Sequence, residues 1–591
     1  MPPRRADRWL IIGLIGVGVL LPALVALIGG TFSLPHLDDI AYRRPADSLF
    51  ESGSIRLTGW SAMNLVGQLV FALPFQWLAG GAPWAFAASS LTLGAAGLAA
   101  GYVLARWLLP PVSAALAVLM LVATPGFVRN VSTFMTDIPA LSLELLCLAA
   151  GAVAVTRPAA RGRWPWLAAS LVIGLLGFAI REYALAAPAA VLAATFMSDD
   201  RRRWAPYVAC GAAVLVASIV IALFARSLPG FWSVSLVPGQ ALNRVLNGIA
   251  TLAFFVLPAM ILWLHRSLGG WRREGWIGAI RTRPVVAAGV AAGLLVAAVL
   301  WGDDLGTIAR GRIEDVRVLI GTIFGRPGEP DGQMLAGARP PLFSNALWRL
   351  LNLVAVGAGF LLLAILGGVL PGRIGAAVRS IDPRRRPTGL GTVPGMVGAF
   401  VVLYAVGVAA LASSSLMFDR YLWPLVVPVA TLFLWHRPAE ARAEGARPEI
   451  ARPGPILAGA VLAASGVITV ALLLNSVAFD AARWQIGEAE MARGLPAMSI
   501  DAGFEWLGEH ATSDTARVHL PFPDNATRYS RLWASYRQCV VVSSSRLRWP
   551  GLELAEVRQQ GYRNYLWRGA WLPLYIYRSP APECQPGSPD S

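Results

Sequence analysis

Lysine is absent from this chain of 591 residues, so its 50 side chains of the Lys and Arg class are all arginine. A nucleic-acid-binding face needs a basic stripe interleaved with aromatics. Here the arginines stand mainly in short loops between apolar runs, so the formal charge of +16 reports membrane orientation, and no nucleic-acid partner is expected. Charge of either sign is scarce. With 14% charged and 56% hydrophobic residues, a soluble globule would expose far too much apolar surface to water. Cysteine is nearly missing as well. Cys147 and Cys210 fall in apolar runs, Cys539 and Cys584 in the polar C-terminal region, and no spacing suits zinc. If that region faces an oxidising compartment, the last two are placed to pair. A repeat of fixed period is also lacking, which excludes solenoid architectures.

What is present is a succession of apolar runs long enough for a ~30 Å hydrocarbon core. They lie near residues 9–29, 83–105, 108–126, 134–155, 165–180, 184–197, 204–225, 245–264, 284–301, 347–370, 391–411, 420–435 and 455–477, giving about thirteen spans. Arg4, Arg5 and Arg8 precede the first, which lacks a cleavage site and reads as a retained anchor. With the N-terminus in the cytoplasm, the loops holding Arg157 to Arg163, Arg201 to Arg203, Arg266 to Arg283, Arg373 to Arg386 and Arg437 to Arg452 all fall inside, as the positive-inside rule requires. The stretch from Ala62 to Gly80 carries Asn64, Gln68, Pro74 and Gln76 and is expected to lie along or partly into the outer face.

The expected architecture is therefore an all-α polytopic membrane part, residues 1–478 with outer loops 30–82, 226–244 and 302–345, followed by a small extracytoplasmic α/β domain, 479–591. In that domain acids and bases balance, and Ala516 to Leu520, Cys539 to Ser543 and Leu574 to Tyr577 read as short strands.

Four constellations stand at outer span ends. His36-Leu37-Asp38-Asp39 follows the first run, where a carboxylate in a partly dry site becomes a useful base. Neighbours in an extended segment point opposite ways, so one of the two acids is expected to face a reacting hydroxyl. Arg129 precedes Met135-Thr136-Asp137-Ile138-Pro139, the opening of another span, with Glu144 two helical turns below Asp137 on the same face. Arg181-Glu182-Tyr183 is a charged break whose arginine is suited to an anionic lipid head group, or else to a local pair with Glu182. Asp419-Arg420-Tyr421-Leu422-Trp423-Pro424 opens a late span beside interfacial aromatics.

Taken together, the acidic pair after the first span, the Met-Thr-Asp-x-Pro opening, the Arg-Glu turn and Arg-Tyr-Leu-x-Pro resemble the polytopic GT-C glycosyltransferases, the superfamily of protein O-mannosyltransferases and the lipid A aminoarabinose transferase. The resemblance covers roughly residues 1–435. It implies that Asp38 or Asp39 is the catalytic base, that Asp137 is the second-loop acid, and that Arg181 contacts the donor phosphate. Arg420 and Arg129, at the same outer interface, are expected to supply further cations to that phosphate. His36, Glu144, Glu182, Tyr183, Asp419 and Tyr421 are the supporting residues. The family often has Lys where Arg181 stands, a change of geometry at constant charge.

The activity so implied is inverting transfer of a sugar from a polyprenyl-phosphate donor to a glycan, lipid or protein hydroxyl outside a bacterial plasma membrane. No firm cofactor follows. Adjacent carboxylates are able to hold a divalent ion, but without further ligands in register metal is left out. The rivals are a multispan transporter or lipid flippase, whose coupling acids belong along the spans, and a non-catalytic scaffold binding through its tail. The tail's Asp501 to Trp506 motif resembles those of uncharacterised bacterial members. Asn130-Val131-Ser132 and Asn525-Ala526-Thr527 match the glycan-acceptor pattern by chance.

Overall fold

The computed structural model describes residues 5–59, 61–158, 162–199, 204–231, 241–274, 284–309, 345–380, 391–411, 418–435, 453–511, 539–544, 546, 551–565 and 570–585. Most of the expected outer loop 302–345, much of the loop 226–244, the clusters Arg201 to Arg203 and Arg437 to Arg452, the strand 516–520 and Asn525 lie outside them.

Each of the thirteen apolar runs is helical among the described residues. Among the described residues seven helices are long and apolar enough to cross a membrane, and an eighth crossing forms if Arg244–Phe255 and Leu257–Ser267, bent by 70°, count as one. The remainder are shorter: Pro111–Val122, Arg163–Phe178, Glu182–Met197, Val286–Trp301 and Trp423–Leu434. Prolines shorten them. Pro110 and Pro111 separate one from the preceding helix, and Pro125 opens a separate short helix, Pro125–Asn130, because proline lacks the N–H that would continue a helix. The expected count of thirteen full spans thus becomes seven or eight by length, with the shorter helices packed among them. This is a multi-pass helical membrane protein.

The helices are graded by environment. Asp137–Thr156 is the central one, 89% of its apolar window being buried, whereas Trp204–Ser227 buries only 17% and turns Leu215, Val216, Ile219 and Leu223 outward. Small residues let the central helix be approached closely. A Cβ at Gly97, on Trp84–Arg106, would lie 2.4 Å from Ser142 Oγ, and one at Gly151 would lie 2.4 Å from Val191.

Val66–Ala79 carries Gln68 and Gln76 buried, as a segment of mixed polarity must to stay within protein. Its start hooks onto the end of Arg163–Phe178: the N–H groups of Leu65 and Gly67 donate to Ile180 and Ala179 carbonyls, and Asn64 Nδ2 donates to Phe178 O at 2.8 Å. The carbonyls orphaned at that helix end are thereby satisfied.

Helix Pro453–Ala492 runs unbroken across the expected boundary at 478 and carries the chain into the C-terminal domain as a rigid rod. That domain holds a four-stranded sheet of β1 (Ile500–Asp501), β2 (Val540–Ser543), β3 (Glu553–Asn564) and β4 (Ala570–Arg578) in the order β1-β2-β4-β3, parallel only between β1 and β2. β3 escapes sequence reading because its exposed half shows no apolar alternation. A disulfide joins Cys539 to Cys584, with Cα atoms 5.1 Å apart.

Gly97→Leu should overpack the contact with Ser142 at a cost of about 1–3 kcal/mol, seen as a lower apparent melting temperature in detergent. Gly357→Leu, where nothing lies within 4 Å of a built Cβ, should leave that temperature unchanged.

Candidate functional site

Three of the four constellations share one local geometry. His36, Arg181 and Phe418 are each extended, and each is followed by a short 3-10 turn, Leu37–Asp39, Glu182–Leu185 and Asp419–Leu422, that feeds a helix. A 3-10 turn has about three residues per turn, so neighbouring side chains fan out by roughly 120°. That separates Asp38 from Asp39, and the expected extended pair pointing opposite ways is replaced by a turn.

Asp39 points into the protein and is fully buried. Its carboxylate accepts from the His36 backbone N–H at 2.8 Å, from Arg43 Nη2 at 3.2 Å and from the Phe134 N–H at 3.4 Å. Arg43 also donates to the Ser33 and Leu34 carbonyls, both at 2.9 Å, so the whole segment is knitted around one guanidinium. Asp39 therefore shapes the loop. Asp38 has a side chain 29% exposed, and Arg420 Nη2 stands 3.5 Å from its Oδ2.

Asp137 joins the other two constellations. At the first turn of the central helix, its Oδ1 lies 3.2 Å from Arg181 Nη2 and its Oδ2 lies 3.4 Å from Arg420 Nε. Arg181 is aimed by Nε donating to Thr136 Oγ1 at 2.6 Å. Tyr421 lies between the two cations, its ring 5.5 Å from the Arg181 guanidinium carbon and 5.7 Å from that of Arg420, while Phe418 lies 4.1 Å under Arg420 and Tyr183 is 5.9 Å from Arg181. Aromatic faces hold guanidiniums without consuming their N–H donors. Among the described residues, Arg181 Nη2 and Arg420 Nε make charge contacts with Asp137 but no aligned hydrogen bond.

The remaining candidates fall elsewhere. Arg129 does not join this group: its Nη2 approaches His36 Nδ1 at 2.8 Å and pairs with Asp480 from the helix entering the C-terminal domain. His36 belongs to the same cluster, with its Nε2 facing Thr31 O at 3.3 Å. Glu182 accepts from the Asn64 backbone N–H at 2.9 Å, so it orders the start of Val66–Ala79. Asp419 is buried beside Arg420. Glu144 is buried below Asp137, and neither of its oxygens has a hydrogen-bond partner. Asn130 is fully buried, which removes it as a glycan acceptor.

Residues missed at the sequence level are Arg43, Asp480, Arg483 and Glu505. The available signal was Asp480 and Arg483 one helical turn apart just past an apolar run. Asp38 and Asp39 diverge, and among the described residues no three His, Cys, Asp or Glu side chains come together.

Neither a protein-family model nor a curated protein matches the chain. Among solved structures it is similar to ArnT from Cupriavidus metallidurans bound to undecaprenyl phosphate, at 15% identity over 95% of this chain and 98% of that one, with a TM-score of 0.33. It is also similar to the oligosaccharyltransferase AglB from Archaeoglobus fulgidus in complex with an inhibitory peptide and a dolichol-phosphate, at 12% identity over 88% and 69%, TM-score 0.36. The apo form of the Archaeoglobus fulgidus enzyme matches at 13% identity over 87% and 61%, TM-score 0.39. TM-scores this low give no weight to a functional inference, which rests on the residues themselves.

Burial pushes the Asp39 carboxyl up to about 7 in spite of Arg43, and burial, with Arg129 beside it, pushes His36 down to about 4. Between about pH 4 and 7 the fold retains a proton on Asp39 that an unfolded chain has released, so that contribution to stability falls as pH rises. Over about pH 4 to 6.5 an unfolded chain protonates a histidine that the fold keeps neutral, so the His36 contribution rises with pH. The two oppose each other. Relative to wild type, Asp39→Asn should tilt the pH dependence of the apparent melting temperature upward across this window, and His36→Gln should tilt it downward. Changes of slope in the same direction in both variants would refute the assignment.

Proposed function

We propose that the chain transfers a sugar from a polyprenyl-phosphate donor to a hydroxyl acceptor, with Asp38 as the base and Arg181 and Arg420 as the cations that hold the phosphate. The observation that carries this reading is the geometry of Arg420, which contacts the exposed Asp38 on one side and shares Asp137 with Arg181 on the other.

A phosphodiester donor carries one negative charge, and its phosphate gains a second as the glycosidic bond breaks. The acceptor oxygen attacks the anomeric carbon from the face opposite the phosphate, its proton passes to Asp38, and the electrons of the broken carbon–oxygen bond leave with the phosphate. Configuration inverts in this single displacement. As Asp38 loses its charge, Arg420 loses one of its two anionic partners, and its attraction turns to the phosphate whose charge is growing. At ~4 Å and an effective dielectric near 20, one such pair interacts by roughly 4 kcal/mol before desolvation. Donors aimed at developing charge in a water-poor site lower the barrier.

The lipid tail needs a lateral opening between helices, and the site at the helix ends stands where such a head group would sit. Under this reading that end faces outward, the N-terminus lies in the cytoplasm, the C-terminal domain is extracytoplasmic and the membrane is a bacterial plasma membrane. The acceptor is a glycan, lipid or protein hydroxyl.

Reconstituted protein given polyprenyl-phosphate sugars should release polyprenyl phosphate, read by mass spectrometry. Asp38→Asn should slow release by about 10²–10⁴-fold while the protein still folds. Arg181→Gln and Arg420→Gln should each slow it by about 10²–10³-fold. Asp137→Asn should also destabilise the fold by about 3–5 kcal/mol, since it leaves two buried arginines sharing no counter-charge. Full activity in Asp38→Asn would sink the base assignment.

A further inference from the structure

Resting on the transferase reading above, we infer that the C-terminal domain positions the Asp38 loop through a buried chain of alternating charges, and that the Asp501 to Trp506 motif is the far anchor of that chain. Glu505 and Asp480 both contact Arg483 Nη2, at 3.0 and 3.1 Å. Asp480 in turn pairs with Arg129, and lies 3.5 Å from His36 Nδ1. His36 donates its backbone N–H to Asp39, the neighbour of Asp38, in a reciprocal cap of the turn that carries both acids. These side chains are 4–13% exposed, so each loses its partner's compensation in a water-poor setting if one link is removed.

The motif supplies the anchor by shape as well as charge. Asp501 Oδ1 accepts the Gly503 N–H at 3.1 Å, fixing the turn. Gly503 has φ +117°, and a Cβ there would lie 1.7 Å from Arg483 Nη1, so this glycine makes room for the guanidinium. Trp506 donates Nε1–H to Ala497 O at 3.0 Å and packs on Trp484, with ring centroids 4.9 Å apart.

A second set of contacts reaches the same loop from the same helix. Arg44 Nη2 donates to the Gly508 and Ala511 carbonyls, both at 2.6 Å, satisfying the end of Phe504–His510. Ile40, one residue past Asp39, packs in one apolar cluster with Trp506, Leu507 and Ile500. The loop that carries Asp38 is therefore built partly from the tail's own core.

The test is hydrogen exchange by mass spectrometry on the full-length protein in detergent, with turnover measured alongside. Glu505→Gln and Gly503→Ala should each raise exchange over residues 33–44 by about tenfold while leaving 137–156 as in wild type. Glu556→Gln, which loosens only the surface pair with Arg558, should change neither. If Gly503→Ala does not fold, the exchanged pair Arg483→Glu with Glu505→Arg takes its place and should restore protection relative to Arg483→Glu alone.

For turnover, Glu505→Gln should lower kcat by about tenfold with the donor KM within about twofold of wild type, because Arg181 and Arg420 are untouched. Loosening confined to the tail with 33–44 still protected would overturn the inference, as would a loosened loop with unchanged kcat. If wild type releases no polyprenyl phosphate from any donor, the transferase reading fails, and the exchange result alone decides whether the tail holds the loop.

Discussion

Two arginines sharing one aspartate set the arrangement of this molecule. Asp137 stands at the first turn of the most buried of the span-length helices among the described residues, and Arg181 and Arg420 reach it from segments 44 and 283 residues further along the chain. Three buried charges with little water must satisfy one another, because desolvating each costs several kcal/mol. That requirement draws the turns at 181 and 419 to the same end of the bundle. The helix N-terminus adds its own partial positive charge beside the carboxylate. With one anion between two cations the trio is left short of negative charge, and Asp38 supplies what is missing from a partly exposed position.

The helical part of the fold was legible because apolar run length is a local property. Among the described residues all thirteen runs are helical, and where Pro110, Pro111 and Pro125 cut one of them hydropathy averages over the break. Sheet was legible where strands are buried, as in Val540–Ser543, and illegible in Glu553–Asn564, whose outward half lacks alternation. Both cysteines of the tail were visible as a pair in composition, and their bridge is present.

The site divides in the same way. Asp137, Arg181 and Arg420 are charges at the ends of apolar runs, conspicuous because membrane helices tolerate few. Which acid of Asp38-Asp39 faces them was not legible, since it depends on a 3-10 turn whose direction is set by Arg43 and by the His36 cap. Arg129 looked equivalent to the other two arginines because sidedness alone groups them. What separates it is Asp480, about 350 residues away in sequence, and pairing over that distance leaves no local trace.

The placement of charge also weighs between the transferase and the transporter. A transporter of the broken-helix type needs ionisable or carbonyl-lined groups where its helices break near mid-membrane. Among the described residues the one bent pair breaks at Phe255, Val256, Leu257 and Pro258, which are apolar, and within its own two arms the charged or titratable residues nearest the break in sequence are Arg244 and His265. Among the described residues Glu144 is the acid set deep in the central helix, and it has no cation within hydrogen-bonding reach to exchange with. The paired charges are instead concentrated where helices end, and they are joined to a folded domain at the same end. An arrangement that gathers anion-binding groups at one surface and fixes them there suits chemistry on a head group, whereas carrying a solute across requires sites that open to both sides.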